Sequence, residues 1–170
     1  MPDGSTTGPD SATTDRLPID PDQPSTGLRR DLAALRSRWD VLAAVAFGGM
    51  TGATARYALS VALPTRSGRF PWGTFLTNVT GCLILGVLLV VLTERFAGHR
   101  YLRPFLGTGM IGAYTTFSTY AVEADLLVRD GHSGTAAAYV LLSLVVGLGA
   151  VWLGMRVGRA ATKATKKSAG

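Results

Sequence analysis

Four long apolar segments run through the chain between residues 39 and 157. Each is close to the roughly 20 residues that an α-helix needs to cross the hydrocarbon core of a bilayer. None carries the continuous polar face that a soluble helix turns toward water. The segments cover residues 39–63, 72–92, 104–128 and 135–157. The pattern predicts an all-α membrane protein with four transmembrane helices.

The third segment is polar in its middle, where a lipid-facing helix would be apolar. Three glycines, the last of them Gly112, lead into Thr115 and Thr116, and hydroxyl and aromatic residues continue to Tyr120. Glycine frees the backbone, and threonine hydroxyls can satisfy the loosened groups, so we expect this helix to break and restart. A broken helix in a membrane frees carbonyl oxygens for a cation or lines a pathway. A small-residue packing face is the alternative.

The two ends of the chain differ from the apolar region between them. Residues 1–38 begin as a Pro-, Asp- and Ser-rich stretch that predicts a disordered tail. From residue 28 this tail becomes a short basic amphipathic stretch, which would lie on the membrane or extend as a solvated helix. Residues 159–170 form a basic C-terminal tail, which leaves residues 39–158 as the predicted transmembrane domain.

Lys and Arg residues are concentrated on one side of this predicted topology. By the positive-inside rule, both termini lie in the cytoplasm of a multi-pass protein of the plasma membrane. The opposite side carries only Arg66, Arg69 and Arg129. The cytoplasmic side carries Arg29, Arg30, Arg36, Arg38, Arg95, Arg100, Arg103, Arg156, Arg159, Lys163, Lys166 and Lys167.

Composition excludes several classes of function. The formal net charge is +6, but the basic residues flank apolar segments instead of forming one patch, so no nucleic-acid partner is predicted. The single cysteine, Cys82, allows neither an intrachain disulfide nor a cysteine metal cluster. His99 and His132 lie in links without an acid–base or metal-ligand pattern around them, and we predict that the protein is not an enzyme.

Polar residues within the first two segments are candidates for a pathway. Gly48 and Gly52 are four apart, which allows close approach of two helices. Arg56 either snorkels to the interface or attracts anions at a vestibule mouth. Asn78 is the only amide of the four segments, and Thr74 lies one helical turn before it. Asn78 would either bond a neighbouring helix or line a pore as a donor to an anion.

The third and fourth segments add aromatic and hydroxyl candidates. Phe117 and Tyr120 are three apart on one helical face, and the positive edges of their rings can face a small anion. Ser118 could add a donor. Ser143 is the one hydroxyl well inside the fourth segment, where it either serves a pathway or bonds back to its own helix.

Three motifs together resemble the Fluc (CrcB-like) fluoride channel family. They are GGMTGATARY in the first segment, GTFLTNVTG in the second and GMIGAYTTFSTY in the third, in that order. The resemblance covers residues 43–158. It implies four helices with the third broken, an antiparallel dual-topology dimer in membrane lipid, and two narrow pores that let fluoride leave the cytoplasm passively and so lower its toxic concentration.

The resemblance also assigns roles to residues. The backbone carbonyls of Gly112 and Thr115 would hold a sodium ion at the dimer centre, which is structural and not transported. The pore and its vestibule would be formed by Asn78 as the amide, Phe117 and Tyr120 as the aromatic box, Ser118 and Ser143 as parts of a polar track, and Arg56 as the vestibule base. Thr74, on the predicted face of Asn78, would join the fluoride path.

Three features depart from the family's pattern. Tyr120 stands where phenylalanine is common, and Gly147 stands where a second hydroxyl follows Ser143 by one turn. The charge bias is too strong for copies that insert equally in both directions. We therefore expect an oppositely oriented homologous paralogue as the second subunit, with a homodimer as the alternative, and a non-conducting partner role stays open.

A small multidrug-resistance-type proton-coupled transporter is a further alternative, but its first span needs a deep carboxylate and none follows Asp40.

Overall fold

The computed structural model describes residues 38–168, with side chains up to residue 164. Within that range every regular element is a helix. We label them α1 to α5 in chain order. They are α1 (Trp39–Ala62), α2 (Trp72–Glu94), α3 (Arg103–Ile111 wound as a π-helix, then Gly112–Tyr114 as one α-helical turn), α4 (Phe117–Arg129) and α5 (Ser133–Ser168). The predicted amphipathic stretch at residues 28–38 lies outside the described residues, apart from its last one.

The predicted segments correspond to these helices, with the third divided into α3 and α4. By length and composition, α2 and the part of α5 within Ser133–Ala164 are the two described helices able to cross a membrane. At 13 residues, α4 alone is too short for a span of about 20 residues, and α3 is shorter still. An all-α membrane protein fits these helices. α5 continues past residue 158 to Ser168, so the predicted basic C-terminal tail begins within a helix.

Glycines bring the helices together in two close pairs, α1 with α3 and α2 with α5. A Cβ added at Gly48 would lie 3.0 Å from the Met110 nitrogen, and one at Gly109 would lie 3.0 Å from the Gly48 Cα. In the other pair, a Cβ at Gly86 would lie 3.0 Å from the Met155 nitrogen. Backbone atoms cannot give way as side chains do, so these crossings require glycine. The small-residue prediction for Gly48 and Gly52 is confirmed for the contact with α3.

The turn after α4 fixes where α5 starts. Gly131 has φ of +80°, its N–H donates to the Val128 carbonyl at 3.1 Å, and the His132 N–H donates to the Leu127 carbonyl at 2.8 Å. These two bonds make a Schellman motif, which ends the helix and needs a residue in the left-handed region. Leu127 then joins Phe75, Ala136 and Tyr139 in a buried apolar cluster at this end of the molecule.

Candidate functional site

The helix break lies at Thr115 and Thr116, both of which have extended backbone conformations. Asn78 on α2 bonds the backbone of Thr116 twice. The Thr116 N–H donates to Asn78 Oδ1 at 2.9 Å, and Asn78 Nδ2 donates to the Thr116 carbonyl at 3.0 Å. Because a backbone N–H can only donate, this pairing fixes which way the amide points. The side chain thus gives the Thr116 N–H the acceptor that the interrupted helix no longer provides.

Thr116 also caps the start of α4. Its hydroxyl oxygen accepts from the Thr119 N–H at 3.3 Å, which is the usual N-cap bond to the third residue of a helix. The same hydroxyl donates to Thr119 Oγ1 at 3.0 Å and lies 3.4 Å from Ser118 Oγ. Side chains thus satisfy the backbone on the α4 side of the break.

The break removes the helical donors of the last carbonyl oxygens of α3, among them the predicted sodium ligands, the carbonyls of Gly112 and Thr115. In a continuous helix they would accept from the N–H groups of Thr116 and Thr119. Those two N–H groups donate to Asn78 Oδ1 and Thr116 Oγ1 instead. Oxygen ligands of this kind suit hard cations such as sodium. The donor set at the break therefore fits the cation site predicted for these two residues.

A cavity of about 410 Å³ opens beside the break. It brings together predicted site residues from α2, α4 and α5, namely Asn78, Phe117, Tyr120 and Ser143, with Cys82 also in its lining. The Ser143 hydroxyl oxygen is buried, and among the described residues it has no hydrogen-bond partner. The alternative in which Ser143 bonds back to its own helix is therefore not what the structure contains. A buried hydroxyl without a partner is costly and free to bond a ligand.

The two aromatic residues differ in exposure. Phe117 is 80% exposed, and its ring centroid lies 6.0 Å from that of Tyr120. Tyr120 is half-buried and packs on Tyr139 with ring centroids 5.0 Å apart. The Phe117 side chain therefore lines the cavity from an exposed position, while Tyr120 packs against the buried apolar cluster. Ser118 is exposed in the first turn of α4, near the Thr116 hydroxyl.

Thr74 and Arg56 line a second cavity of about 280 Å³, on another side of the break. Thr74 is therefore separated from the cavity that Asn78 lines, although it precedes Asn78 by one turn. Thr116 and Thr119 reach the second cavity, and Thr116 lines both. The structure thus divides the predicted residues into two groups that meet at Thr116.

Several polar contacts escaped the sequence-based reasoning because they join residues far apart in the chain. Glu123 accepts from the Tyr139 hydroxyl at 2.9 Å and from the Thr65 hydroxyl at 3.0 Å. Tyr114 and Thr80 have hydroxyl oxygens 2.8 Å apart. No spacing rule predicts such pairs, although a glutamate within an apolar segment is itself a signal that a partner exists.

Comparisons with known proteins agree with the motifs. The family described as CrcB-like protein, Camphor Resistance (CrcB), matches residues 43–155. A "Fluoride-specific ion channel FluC 1" of Streptomyces coelicolor is 50% identical over 128 residues, which are 73% of this chain and 83% of the relative. A "Fluoride-specific ion channel FluC 2" of Streptomyces avermitilis is 52% identical over 116 residues, 66% of this chain and 73% of the relative.

A more distant relative extends the similarity beyond that genus. A "Fluoride-specific ion channel FluC" of Acidobacterium capsulatum is 49% identical over 115 residues, 67% of this chain and 92% of the relative. All three relatives are named as channels and not as enzymes. The chain belongs to the CrcB-like family.

Proposed function

We propose that the chain is a subunit of a fluoride-selective channel that lets fluoride leave the cytoplasm passively. The observation that carries the proposal is the cavity shared by Asn78, Phe117, Tyr120 and Ser143, in which the buried Ser143 hydroxyl lacks a partner among the described residues. Amide, hydroxyl and ring-edge hydrogens are the donors that a small dehydrated anion requires. The names of the relatives supply the identity of that anion.

Sodium has a structural role in this proposal. The carbonyls of Gly112 and Thr115 would hold the ion, because the break diverts their usual hydrogen-bond donors to Asn78 and Thr116. When bound, the ion supplies a fixed positive charge near the anion path and is not itself transported. Among the described residues no cluster of acidic, histidine or cysteine side chains offers another cation site.

The proposed assembly is an antiparallel dimer of four-span subunits in the plasma membrane, with residues 39–158 as the channel domain and both termini in the cytoplasm. Support comes from the long apolar helices and from the large apolar side chains that α5 exposes, such as Leu141, Val145 and Leu148. Lipid or a second subunit would cover these side chains. Lipid or a second subunit would likewise cover the exposed ring of Phe117.

The charge bias favours a homologous paralogue of opposite orientation as the second subunit. The Arg and Lys residues favour the orientation with both termini in the cytoplasm. Those within the described residues include Arg95, Arg100, Arg156 and Arg159. Co-purification of the tagged chain with the paralogue would support a heterodimer. Fluoride conduction by this chain expressed alone would show that no paralogue is needed.

The second candidate is a non-conducting subunit that stabilises a conducting partner. Two residues in or beside the cavity favour it, namely Tyr120 and Gly147. Glycine has no side chain, so position 147 offers no hydroxyl, and a Cβ added there would lie 3.7 Å from the sulfur of Cys82. If the chain is a non-conducting subunit, substitutions that narrow or empty the cavity should leave fluoride conduction by the complex unchanged.

Growth in toxic fluoride separates the two candidates. Cells that lack their own fluoride exporter should be protected by the natural chain, with its paralogue if required, and should lose protection with Phe117→Ile. Phe117 is largely exposed within the subunit, so its replacement should leave the fold intact. Equal protection by the Phe117→Ile variant, at equal membrane abundance, would contradict the channel role and favour the scaffold.

A further inference from the structure

The segment of α2 that faces the helix break contains more than Asn78. Tyr114, the last residue of α3, lies against α2 two residues beyond Asn78, where its hydroxyl oxygen is 2.8 Å from Thr80 Oγ1. Thr80 Oγ1 also lies 2.6 Å from the Leu76 carbonyl and 3.2 Å from the Thr77 carbonyl, both of which can only accept, so its single hydrogen is taken by its own helix. Tyr114 is therefore the donor, and Thr80 is held as an acceptor by its own helix.

Gly81 provides the second contact on this surface. A Cβ added to Gly81 would overlap the Thr115 Cγ2 methyl group and would lie 3.4 Å from Tyr114 Cδ1. Thr115 cannot swing away freely, because its hydroxyl donates to the Ile111 carbonyl at 3.0 Å. The missing side chain at Gly81 is thus what allows the break to approach α2 so closely.

These contacts surround the released carbonyls in the sequence. Gly112 lies two residues before Tyr114, and the carbonyl of Thr115 belongs to the residue that Gly81 accommodates. Asn78 holds the backbone on the other side, at Thr116. Side-chain bonds therefore anchor residues 114 and 116, with the threonine carbonyl between them.

We propose that Thr80, Gly81 and Tyr114 are positioning residues, which hold the carbonyls of Gly112 and Thr115 in the arrangement that binds sodium and thereby set the affinity for it. This inference rests on the sodium site proposed above. A carbonyl site binds a cation well only if its oxygens are already in place, because any ordering cost is subtracted from the binding free energy. The Tyr114–Thr80 bond supplies part of that ordering in advance.

The test is a sodium titration of thermal stability, with N-methylglucamine replacing sodium at constant ionic strength, on the purified chain together with its paralogue where one is required. Sodium should raise the melting temperature of the natural protein, since a ligand that binds only the folded state stabilises it. In Tyr114→Phe the sodium concentration for half-maximal stabilisation should rise about fivefold, the effect of one lost hydrogen bond. Gly81→Ala should act in the same direction and more strongly.

Matched controls separate positioning from general packing. Thr80→Val, which removes the acceptor of the Tyr114 hydroxyl, should raise the sodium midpoint as Tyr114→Phe does. Thr93 on α2 makes the same kind of back-bonds, to the Leu89 and Val90 carbonyls, but is exposed, so Thr93→Val is its control. Gly149→Ala controls for Gly81→Ala, because nothing lies within 4 Å of its added Cβ. Both controls should keep the natural sodium midpoint, and Thr80→Ser, which retains the acceptor, should stay close to it.

The outcomes distinguish this inference from the proposal beneath it. If the natural protein is not stabilised by sodium, the proposed sodium site is wrong. If sodium stabilises the natural protein and Tyr114→Phe alike, with the same midpoint, the positioning role is overturned whatever Gly81→Ala does. A raised midpoint in Tyr114→Phe, with Thr93→Val unchanged, supports it.

Discussion

At the scale of single residues, the break depends on one side chain from another helix. Asn78 donates to and accepts from the backbone of Thr116, and its Oδ1 replaces the helical acceptor that the Thr116 N–H has lost. Asn78 therefore both lines the cavity and holds the backbone at the start of α4. The two alternatives that the sequence left open for Asn78, a bond to a neighbouring helix and a place in a pathway, are compatible.

Replacing Asn78 by alanine should therefore damage both stability and conduction. It leaves the Thr116 N–H without its acceptor, at a cost of about 1–3 kcal/mol in the free energy of unfolding. Fluoride flux should fall at least tenfold, because the cavity loses the amide donor and the helix break loses the side chain that fixes it. Thermal unfolding and liposome efflux of the same preparation measure the two effects. Full flux from Asn78→Ala would remove this residue from the path.

Ser143 makes a sharper residue-scale prediction, because stability and flux should move in different directions. Its hydroxyl is buried and lacks a partner among the described residues, so Ser143→Ala removes an unsatisfied group. The free energy of unfolding should stay equal or rise by up to about 1 kcal/mol, and the melting temperature should follow it. Fluoride flux should nevertheless fall, because a donor in the cavity is lost. Unchanged flux would mean that the hydroxyl does not face the ion.

The cap on α4 gives a third residue-scale prediction. Thr116→Val keeps the shape of the side chain but removes the oxygen that accepts from the Thr119 N–H. Loss of an N-cap costs about 1 kcal/mol, and the melting temperature should fall accordingly. Thr116→Ser, which keeps the hydroxyl, is the control and should behave as the natural chain does. A Thr116→Val protein as stable as Thr116→Ser would contradict the capping role.

At the scale of helices, glycine spacing and apolar length carry most of the information. The four apolar segments matched the helices because length and hydrophobicity act locally, and the glycine-to-threonine run marked the interrupted one. The π-helical winding of Arg103–Ile111 and the extension of α5 to Ser168 were not predicted. The first lies in the stretch that packs closely against α1 at Gly109, a contact between distant residues, and the second extends beyond the hydrophobic pattern.

The α2–α5 crossing allows a direct test at this scale. A methyl group at Gly86 would lie 3.0 Å from the Met155 nitrogen and 3.1 Å from the Gly154 Cα. Gly86→Ala should therefore push the helices apart and lower the unfolding free energy by about 1–3 kcal/mol. Gly149→Ala, on an open face of α5, should be neutral or stabilising by up to about 1 kcal/mol. Equal melting temperatures for the two variants would show that the crossing tolerates a larger residue.

At the scale of the whole molecule, the sequence predicts the type of protein better than it predicts the site. Three motifs identified the family, which the comparisons confirm. They did not reveal that Thr74 and Arg56 line a different cavity from Asn78, because helix rotation and the break together decide which face each residue occupies. Glu123 gained its partners from Thr65 and Tyr139, both on other segments of the chain. Such long-range pairs exist only once the helices have packed.

Ion efflux from liposomes measures directly whether this protein is a fluoride-selective channel. The liposomes would contain the purified natural chain, first alone and then with its paralogue, and chloride would be the control anion. We predict fluoride efflux without chloride efflux from at least one of these two preparations. Flux from the chain alone would make the homodimer the working assembly. If neither preparation passes fluoride, or if chloride passes as readily, the account of a fluoride-selective channel is contradicted.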